Sequence, residues 1–361
     1  MIARDFIMSK DKLRKKFNNS KERIKMEMDY NDASSPCVFG VNGTEKEPLV
    51  FFDITHLCNM NCKHCCVKAE SIGEGGLHKE KIKEIVDELK ENGVSSMYIT
   101  GGEPTYLPFF DEIIEYIFMK GFDIYLATNG LDLIRHIVLI KKYIKSVFVS
   151  LDGLEDVHDE FRGVNGSFNK IINSIEILVE NRVPVRISTM LWKKNIKDLE
   201  KFVQFIKTLG VNHLHFSWLF NSGRTSENDI LLNLKDYPFI VKRIHDIIIN
   251  YSEDSFMISS RRDKCLTANS KRCYAGDKVL FIDNQGFFYP CPWVAKKEFK
   301  IKYEKQWQKG NMNDCFNEIK KMQELVEKRI KKYGYSGCPA MALEHQNDEM
   351  GVDPLNYYLQ E

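Results

Sequence analysis

Nowhere in the 361 residues do the roughly eighteen consecutive apolar side chains of a membrane-spanning helix occur. The N-terminus, MIARDFIMSKDKLRKKF, is basic but lacks the unbroken apolar run of a secretory signal. Net charge is nearly absent too, because 52 Lys and Arg face 51 Asp and Glu, a formal +1. No global attraction to nucleic acid or to an anionic membrane follows from that balance. Aromatic residues make up 12% of the chain, and Trp192, Trp218, Trp293 and Trp307 are scattered as core and hairpin packing requires, with no stacking platform for nucleic acid. These absences point to a cytoplasmic protein with neither nucleic acid nor membrane as partner. Cysteine, by contrast, is plentiful at ten residues. In a reducing compartment clustered thiols indicate metal or catalysis sooner than structural disulfides.

The chain alternates short β-rich apolar runs with longer stretches of helical period. LVFFDI (49–54), SMYIT (96–100), DIYLATN (123–129), SVFVSLD (146–152), VRISTML (185–191) and HLHFSW (213–218) read as strands. Helical candidates between them include KEKIKEIVDELKENG, ending on Gly93, and NIKDLEKFVQFIKTLG, ending on Gly210. Six β-then-α units with right-handed crossovers predict an α/β fold, a parallel sheet curled into a partial (β/α)6 TIM-like barrel. In such folds the chemistry gathers at the C-terminal ends of the strands. The expected organisation is an N-terminal extension (1–47), the barrel (48–250) and a small C-terminal α+β module (251–361), with the polar stretch from Tyr251 to Lys264 as the boundary.

Four of the ten cysteines fall in CNMNCKHCC, residues 58–66, just after the first strand. The spacing Cys58, Cys62, Cys65 suits three thiolates on one short loop holding three irons of a [4Fe–4S] cubane, with the fourth iron open to a substrate or cofactor. A structural zinc site is the competing reading, since Cys66, His56 and His64 lie within reach as further ligands.

C-x3-C-x2-C at this place resembles the signature of the radical S-adenosylmethionine enzymes, and three further motifs follow in the order of that family. Gly101-Gly102-Glu103-Pro104 after the second strand is similar to its GGEP element, where glycines permit close backbone approach and Glu103 can accept from the cofactor's ammonium. Ala127-Thr128-Asn129-Gly130 follows the third strand and Ser150-Leu151-Asp152-Gly153 the fourth. There the resemblance implies that Thr128, Asn129, Ser150 and Asp152 hold the nucleoside and shape the radical site. Arg162 and Arg224 match positions where relatives often carry arginine, and the resemblance implies that one of them pairs with the cofactor carboxylate, Arg162 being the one taken as cofactor-binding. The resemblance covers about residues 48–220 and implies that one electron from the cluster cleaves S-adenosylmethionine to methionine and a 5′-deoxyadenosyl radical, which takes a hydrogen atom from substrate. A non-catalytic metal-binding protein is the reading from another class; a purely structural cluster has no need of the GGEP and Ser150/Asp152 elements around it.

Cys265, Cys273, Cys291, Cys315 and Cys338 occupy the C-terminal third. KVLFIDNQGFFYPCPW reads as a β-hairpin turning on Asp283-Asn284-Gln285-Gly286, which returns Cys291 toward Cys273. The layout C-x12-G-x4-C and the closing GCPAMALEHQNDEMGVDPL resemble SPASM and twitch domains, the extensions that carry auxiliary [4Fe–4S] clusters. The C-x2-C-x5-C-x3-C run of a full SPASM domain is missing, so the cysteines suffice for one auxiliary cluster on Cys265, Cys273, Cys291 and Cys338, a twitch-like arrangement. Cys315 is the alternative fourth ligand, at the start of the predicted helix DCFNEIKKMQELVEKRIKKYG, and zinc is the rival occupant. Cys37 and Cys66 are read as non-ligands.

The same resemblance implies oxidative maturation of a peptide or protein, with the auxiliary cluster as electron acceptor. The roughly fifty residues before the first strand are too few for the usual leader-recognition domain, so a precursor is expected to need a separate recognition protein or another contact surface. The ending NYYLQE lacks the Gly-Gly of the cyclase of molybdenum-cofactor synthesis, which argues against GTP. Small-molecule chemistry in cofactor or porphyrin synthesis is the alternative. A flavodoxin or ferredoxin is the expected electron donor, and the Lys-rich run KEFKIKYEKQWQK, otherwise solvated surface, is a candidate place for it to dock.

Overall fold

A computed structural model describes residues 48–73, 75–260, 272–295, 303–334, 336–346 and 348–351. Six strands alternate with helices through the first two thirds: β1 (Leu49–Asp53), α1 (Lys79–Glu91), β2 (Ser96–Thr100), α2 (Phe110–Met119), β3 (Asp123–Thr128), α3 (Ile137–Tyr143), β4 (Ile144–Ser150), α4 (Glu155–Arg162), α5 (Ser167–Glu180), β5 (Val185–Leu191), α6 (Leu199–Thr208) and β6 (His213–Trp218). Strands β1 to β6 pair in parallel and in chain order. A parallel sheet with helices against it buries both faces, and β1 and β6 are accordingly buried at every position. Each helix supplies one apolar stripe: Ile82, Ile85, Val86 and Leu89 of α1 and Leu199, Phe202, Val203 and Ile206 of α6 are the buried residues, at helical spacing. Gly93 (φ +80°) and Gly210 (φ +71°) stop these helices in the left-handed conformation anticipated from sequence.

The C-terminal third extends the same sheet. After α7 (Tyr237–Tyr251), β7 (Met257–Ser260) pairs in parallel with β6. This strand was not anticipated, since MISS lies inside the polar stretch read as the boundary and carries one apolar alternation too short to register. On the far side, β8 (Val279–Ile282) pairs in parallel with β1, so that Leu49 to Phe52 lie opposite Val279 to Ile282. The expected hairpin then runs back through β9 (Phe287–Tyr289), and β10 (Lys305–Gln306) closes that edge antiparallel. Described strands thus form one ten-stranded sheet, an open partial barrel. The predicted long helix is two, α8 (Met312–Lys320) and α9 (Met322–Tyr333), and α10 (Pro339–Gln346) follows. Trp307 fastens this region to α1: its indole donates to Glu88 at 3.2 Å and Lys81 lies 4.0 Å over its ring. Among the described residues no helix is long and apolar enough to cross a membrane.

Candidate metal centre and cofactor cradle

The loop after β1 has no regular structure of its own, so its backbone groups need partners from elsewhere. Those partners come from the ends of the other strands. From the β2 end, Gly102 N donates to Thr55 O (2.6 Å) and Glu103 N to Leu57 O (2.8 Å). From α4, Phe161 O accepts from Lys63 N (2.9 Å). From the turn after β6, Arg224 N donates to Cys65 O (2.9 Å), Arg224 Nε to Cys62 O (2.9 Å), Thr225 Oγ1 to His64 O (3.1 Å) and Asn228 Nδ2 to Lys63 O (3.1 Å). The loop is fixed by groups distant in sequence, in the place where the strand ends converge.

Glycines permit this packing. A Cβ on Gly102 would lie 2.3 Å from Leu57 O, one on Gly163 2.5 Å from Asn61 O, and one on Gly223 2.3 Å from Cys65 O. Gly101 (φ +143°) faces Thr55 O at 2.3 Å in the same sense. The close approach that the GGEP glycines allow is therefore, first, that of the chain's own cysteine loop.

Cys58 and Cys62 are buried and Cys65 half-buried. Each sulfur meets one N–H donor: Asn129 Nδ2 at 3.9 Å from Cys58 Sγ, Arg162 Nη1 at 3.7 Å from Cys62 Sγ and Ala69 N at 3.3 Å from Cys65 Sγ. Burial pushes the Cys58 thiol up to about 12, with Cys62, Glu103 and Cys65 adding like charge, and burial likewise raises Cys62 against the pull of Arg162. Three sulfurs that repel one another's ionised forms are close neighbours. Burial favours the protonated thiol at Cys58 and Cys62; a metal cluster that took these sulfurs as thiolates would displace those protons and relieve the repulsion. Three neighbouring sulfurs, each with an N–H donor, fit the corner of an iron–sulfur cluster. Among the described residues, no three His, Cys, Asp or Glu side chains converge tightly enough for a single metal ion. A zinc ion, with Zn–S bonds of about 2.3 Å, draws its ligands closer than a cubane does.

The other predicted residues form two buried networks around that loop. Glu103 Oε1 accepts from Thr105 N (3.1 Å), Thr105 Oγ1 (2.6 Å) and Thr128 Oγ1 (2.8 Å), and Oε2 accepts from Asn129 N (2.6 Å). Burial raises the Glu103 carboxyl above its ordinary value, against these four donors. Asn129 also donates to Asn59 Oδ1 (2.7 Å), and Asn59 to Asp132 Oδ2 (2.9 Å). The second network joins Asp152 to Arg162 at 2.5 Å, with Asp152 Oδ1 accepting from Met190 N at 2.7 Å. Arg162 is thus spoken for by Asp152 and the Cys62 sulfur. Arg224 is spent largely on loop carbonyls, adding Ala69 O at 3.1 Å. Ser150 ends β4 half-buried, opposite Ser188.

Sequence reasoning missed Asp53, the last residue of β1. It is buried, its Oδ2 pairs with His56 Nε2 at 3.0 Å, and its Oδ1 has no hydrogen-bond partner and lies against Gly101. A buried carboxylate oxygen without a donor suits a cationic group bound beside the GGEP turn. Only its position, five residues before Cys58, signalled it.

Residues 52–206 match the Radical SAM superfamily. The chain carries a radical SAM domain. It is 26% identical over 345 residues to the AdoMet-dependent heme synthase of Methanosarcina barkeri, covering 87% of this chain and 97% of that protein. It is 30% identical over 258 residues to the antilisterial bacteriocin subtilosin biosynthesis protein AlbA of Bacillus subtilis, covering 69% of this chain and 56%, little over half, of AlbA. The solved structure of anSMEcpe with bound AdoMet superposes with a TM-score of 0.69 at 18% identity, over 87% of this chain and 95% of that one, a shared fold. The protein is a radical SAM enzyme with the partial-barrel fold of that superfamily, which works with a [4Fe–4S] cluster and S-adenosylmethionine.

In the C-terminal region Cys273 and Cys291 are buried and Cys338 half-buried. Gly276 N donates to Pro290 O at 2.8 Å, so the segments of Cys273 and Cys291 run side by side. Cys315 is fully buried, pushed up to about 12 by burial, and its thiol has Asn311 Oδ1 at 3.5 Å and Gln306 O at 3.9 Å as acceptors. Those contacts are the ordinary ones of a buried thiol. Cys37 and Cys265 lie outside the described residues.

Proposed function

We propose that Cys58, Cys62 and Cys65 hold the radical SAM cluster and that the enzyme oxidatively modifies a peptide, with a second [4Fe–4S] cluster on Cys265, Cys273, Cys291 and Cys338 as electron acceptor. The observation that carries the first part is the clasped loop, in which three neighbouring sulfurs each receive an N–H donor. When bound, cluster and S-adenosylmethionine supply one-electron cleavage of the sulfonium carbon–sulfur bond to methionine and a 5′-deoxyadenosyl radical. The chain's own residues do the rest. Glu103 ties the β2 and β3 ends together through Thr128 and Asn129, which keeps Gly101 and Gly102 against the cysteine loop. Asp53 Oδ1, buried without a donor beside Gly101, would accept from the cofactor's ammonium, and Ser150 at the β4 end would hold the nucleoside. Arg162, paired with Asp152, places a positive charge at the Cys62 sulfur. The buried surroundings of the loop exclude water that would quench a carbon radical.

The peptide substrate is supported by the likeness to AlbA, whose 258 matched residues exceed the 155 of the radical SAM match. A flavodoxin or ferredoxin delivers the electron. A specific observation favours a second reading: the heme synthase is matched over 97% of its length, which supports a porphyrin substrate. Reconstituted enzyme given S-adenosylmethionine, a reductant and either candidate precursor peptides or an iron porphyrin with carboxylate side chains separates the two. The peptide reading expects a peptide lighter by two hydrogens, with 5′-deoxyadenosine formed in step. Turnover of the porphyrin alone overturns it.

A further inference from the structure

Helix α9 carries a feature that neither the fold nor the radical SAM loop requires. Arg329, its eighth residue, is completely excluded from solvent, yet among the described residues no carboxylate pairs with it. Its fork is spent on backbone carbonyls: Nε donates to Ser336 O, Nη1 to Glu349 O and, at 2.7 Å, to Gly351 O. Nη2 is buried with no hydrogen-bond partner. Tyr333, one turn later, donates to Met350 O at 2.6 Å. These contacts gather the chain before and after Cys338, two residues beyond Ser336, and hold it to α9.

The same helix holds the other segment. Gln323 Nε2 donates to Cys273 O at 3.2 Å and to Ala275 O at 2.6 Å, while Gln323 Oε1 accepts from Arg272 at 2.7 Å. Gly276 then joins this segment to Pro290, the residue before Cys291. One helix therefore holds the Cys273 carbonyl from its first turn and, through Arg329, the Ser336 carbonyl two residues before Cys338. A buried guanidinium costs solvation unless an anion lies near; among the described residues no carboxylate pairs with Arg329, and a cluster with thiolate ligands is such an anion.

We infer that α9 is the scaffold of the second metal centre, with Arg329 as the positioning residue that places Cys338 and supplies the compensating positive charge. The inference rests on the auxiliary-cluster reading above. Arg329 touches neither cofactor nor substrate in this account and acts through the Cys338 segment.

The test uses the full chain, reconstituted without oxygen, as wild type, Arg329→Met and Arg329→Lys. Read out are iron per chain, the EPR signals with and without S-adenosylmethionine, cofactor cleavage, and the circular dichroism. In wild type about eight irons are expected, falling to about four in Arg329→Met, with the S-adenosylmethionine-responsive signal, cofactor cleavage and helix content all retained. Arg329→Lys keeps the charge without the fork, so it should recover part of the iron, with an altered second EPR signal. This charge-dependent recovery is not expected of a residue that only fills space. Eight irons and an unchanged second signal in both variants overturn the inference alone. Loss of both clusters and of helix content in both variants overturns it too, making Arg329 a general support of the fold. Four irons in wild type remove the second cluster, and the inference with it.

Discussion

The two cysteine regions are built on opposite plans. The loop of Cys58, Cys62 and Cys65 supplies its three sulfurs from eight consecutive residues, and distant groups are needed only to hold that loop still. In the C-terminal region Cys273, Cys291 and Cys338 come from three separate segments, and a hairpin and one helix must bring them together. In the proposed assignment the first ligand set is local and its support is long-range, whereas the second ligand set is itself long-range. A local ligand set should therefore survive damage to its surroundings better than a distributed one.

The largest effect expected from this contrast comes from the ligands themselves. Replacing Cys58, Cys62 and Cys65 together with Ala should abolish cleavage of S-adenosylmethionine, measured as 5′-deoxyadenosine, and leave about four irons in the second site. Cys273→Ala should do the converse, losing about four irons and product formation while cofactor cleavage persists. Equal losses from both variants would break the comparison, because the two centres would then not be independent.

How far these regions could be read from sequence follows from the same distinction. CNMNCKHCC is a contiguous signal, and GGEP, Thr128-Asn129-Gly130 and Asp152-Gly153 mark successive strand ends, so six strands and the placing of these motifs at their ends were legible. The hairpin around Asp283 to Gly286 was legible for the same reason. The partners were not. Nothing local to Arg162 announces that it pairs with Asp152 and reaches the Cys62 sulfur. Asp53, at the end of an apolar strand, looks like any strand terminus until Gly101 is found beside it. Strand β7 escaped because four residues with a single alternation carry too little pattern, and its pairing with β6 is decided by the sheet already present. Arg329 reads as one more charge in a Lys-rich helix; only the folded chain shows it fully buried.

A buried pair in the support of the first region gives the next effect. Arg162→Met leaves the Asp152 carboxylate, 0% exposed, without its partner, and should lower the unfolding free energy by about 3–5 kcal/mol in denaturant titrations. A loss under 1 kcal/mol would mean that the networks around the loop are not what holds it.

Smaller, within the first pH unit below 6.5, is a pH effect next to that pair. His158 Nδ1 accepts from Asp152 N at 3.1 Å. Burial, reinforced by the nearby Arg162 charge, lowers the imidazole from 6.5 to about 3. A histidine depressed in the folded state binds its proton more readily when unfolded, so its contribution is intact above about pH 6.5 and is lost as the pH falls toward 3. Relative to His158→Gln, which cannot take that proton, wild type should lose about 1.4 kcal/mol of stability per pH unit within that window. Parallel stability curves for the two proteins would contradict the assignment.

The smallest effect is expected at Cys315. Its thiol already has Asn311 and Gln306 as acceptors, so Cys315→Ala should cost about 1 kcal/mol and leave the iron content unchanged. Loss of iron there would make Cys315 a ligand and move the second centre toward α8.

The central claim is that the clasped loop presents a cluster with one iron open to S-adenosylmethionine. The most direct measurement is the EPR spectrum of the reduced, anaerobically reconstituted protein before and after adding S-adenosylmethionine, in wild type and in the triple Cys58, Cys62, Cys65 variant. A wild-type signal that changes on addition of the cofactor and is missing from the variant is the predicted result. A signal indifferent to S-adenosylmethionine, or one that still responds to it in the variant, would contradict the account.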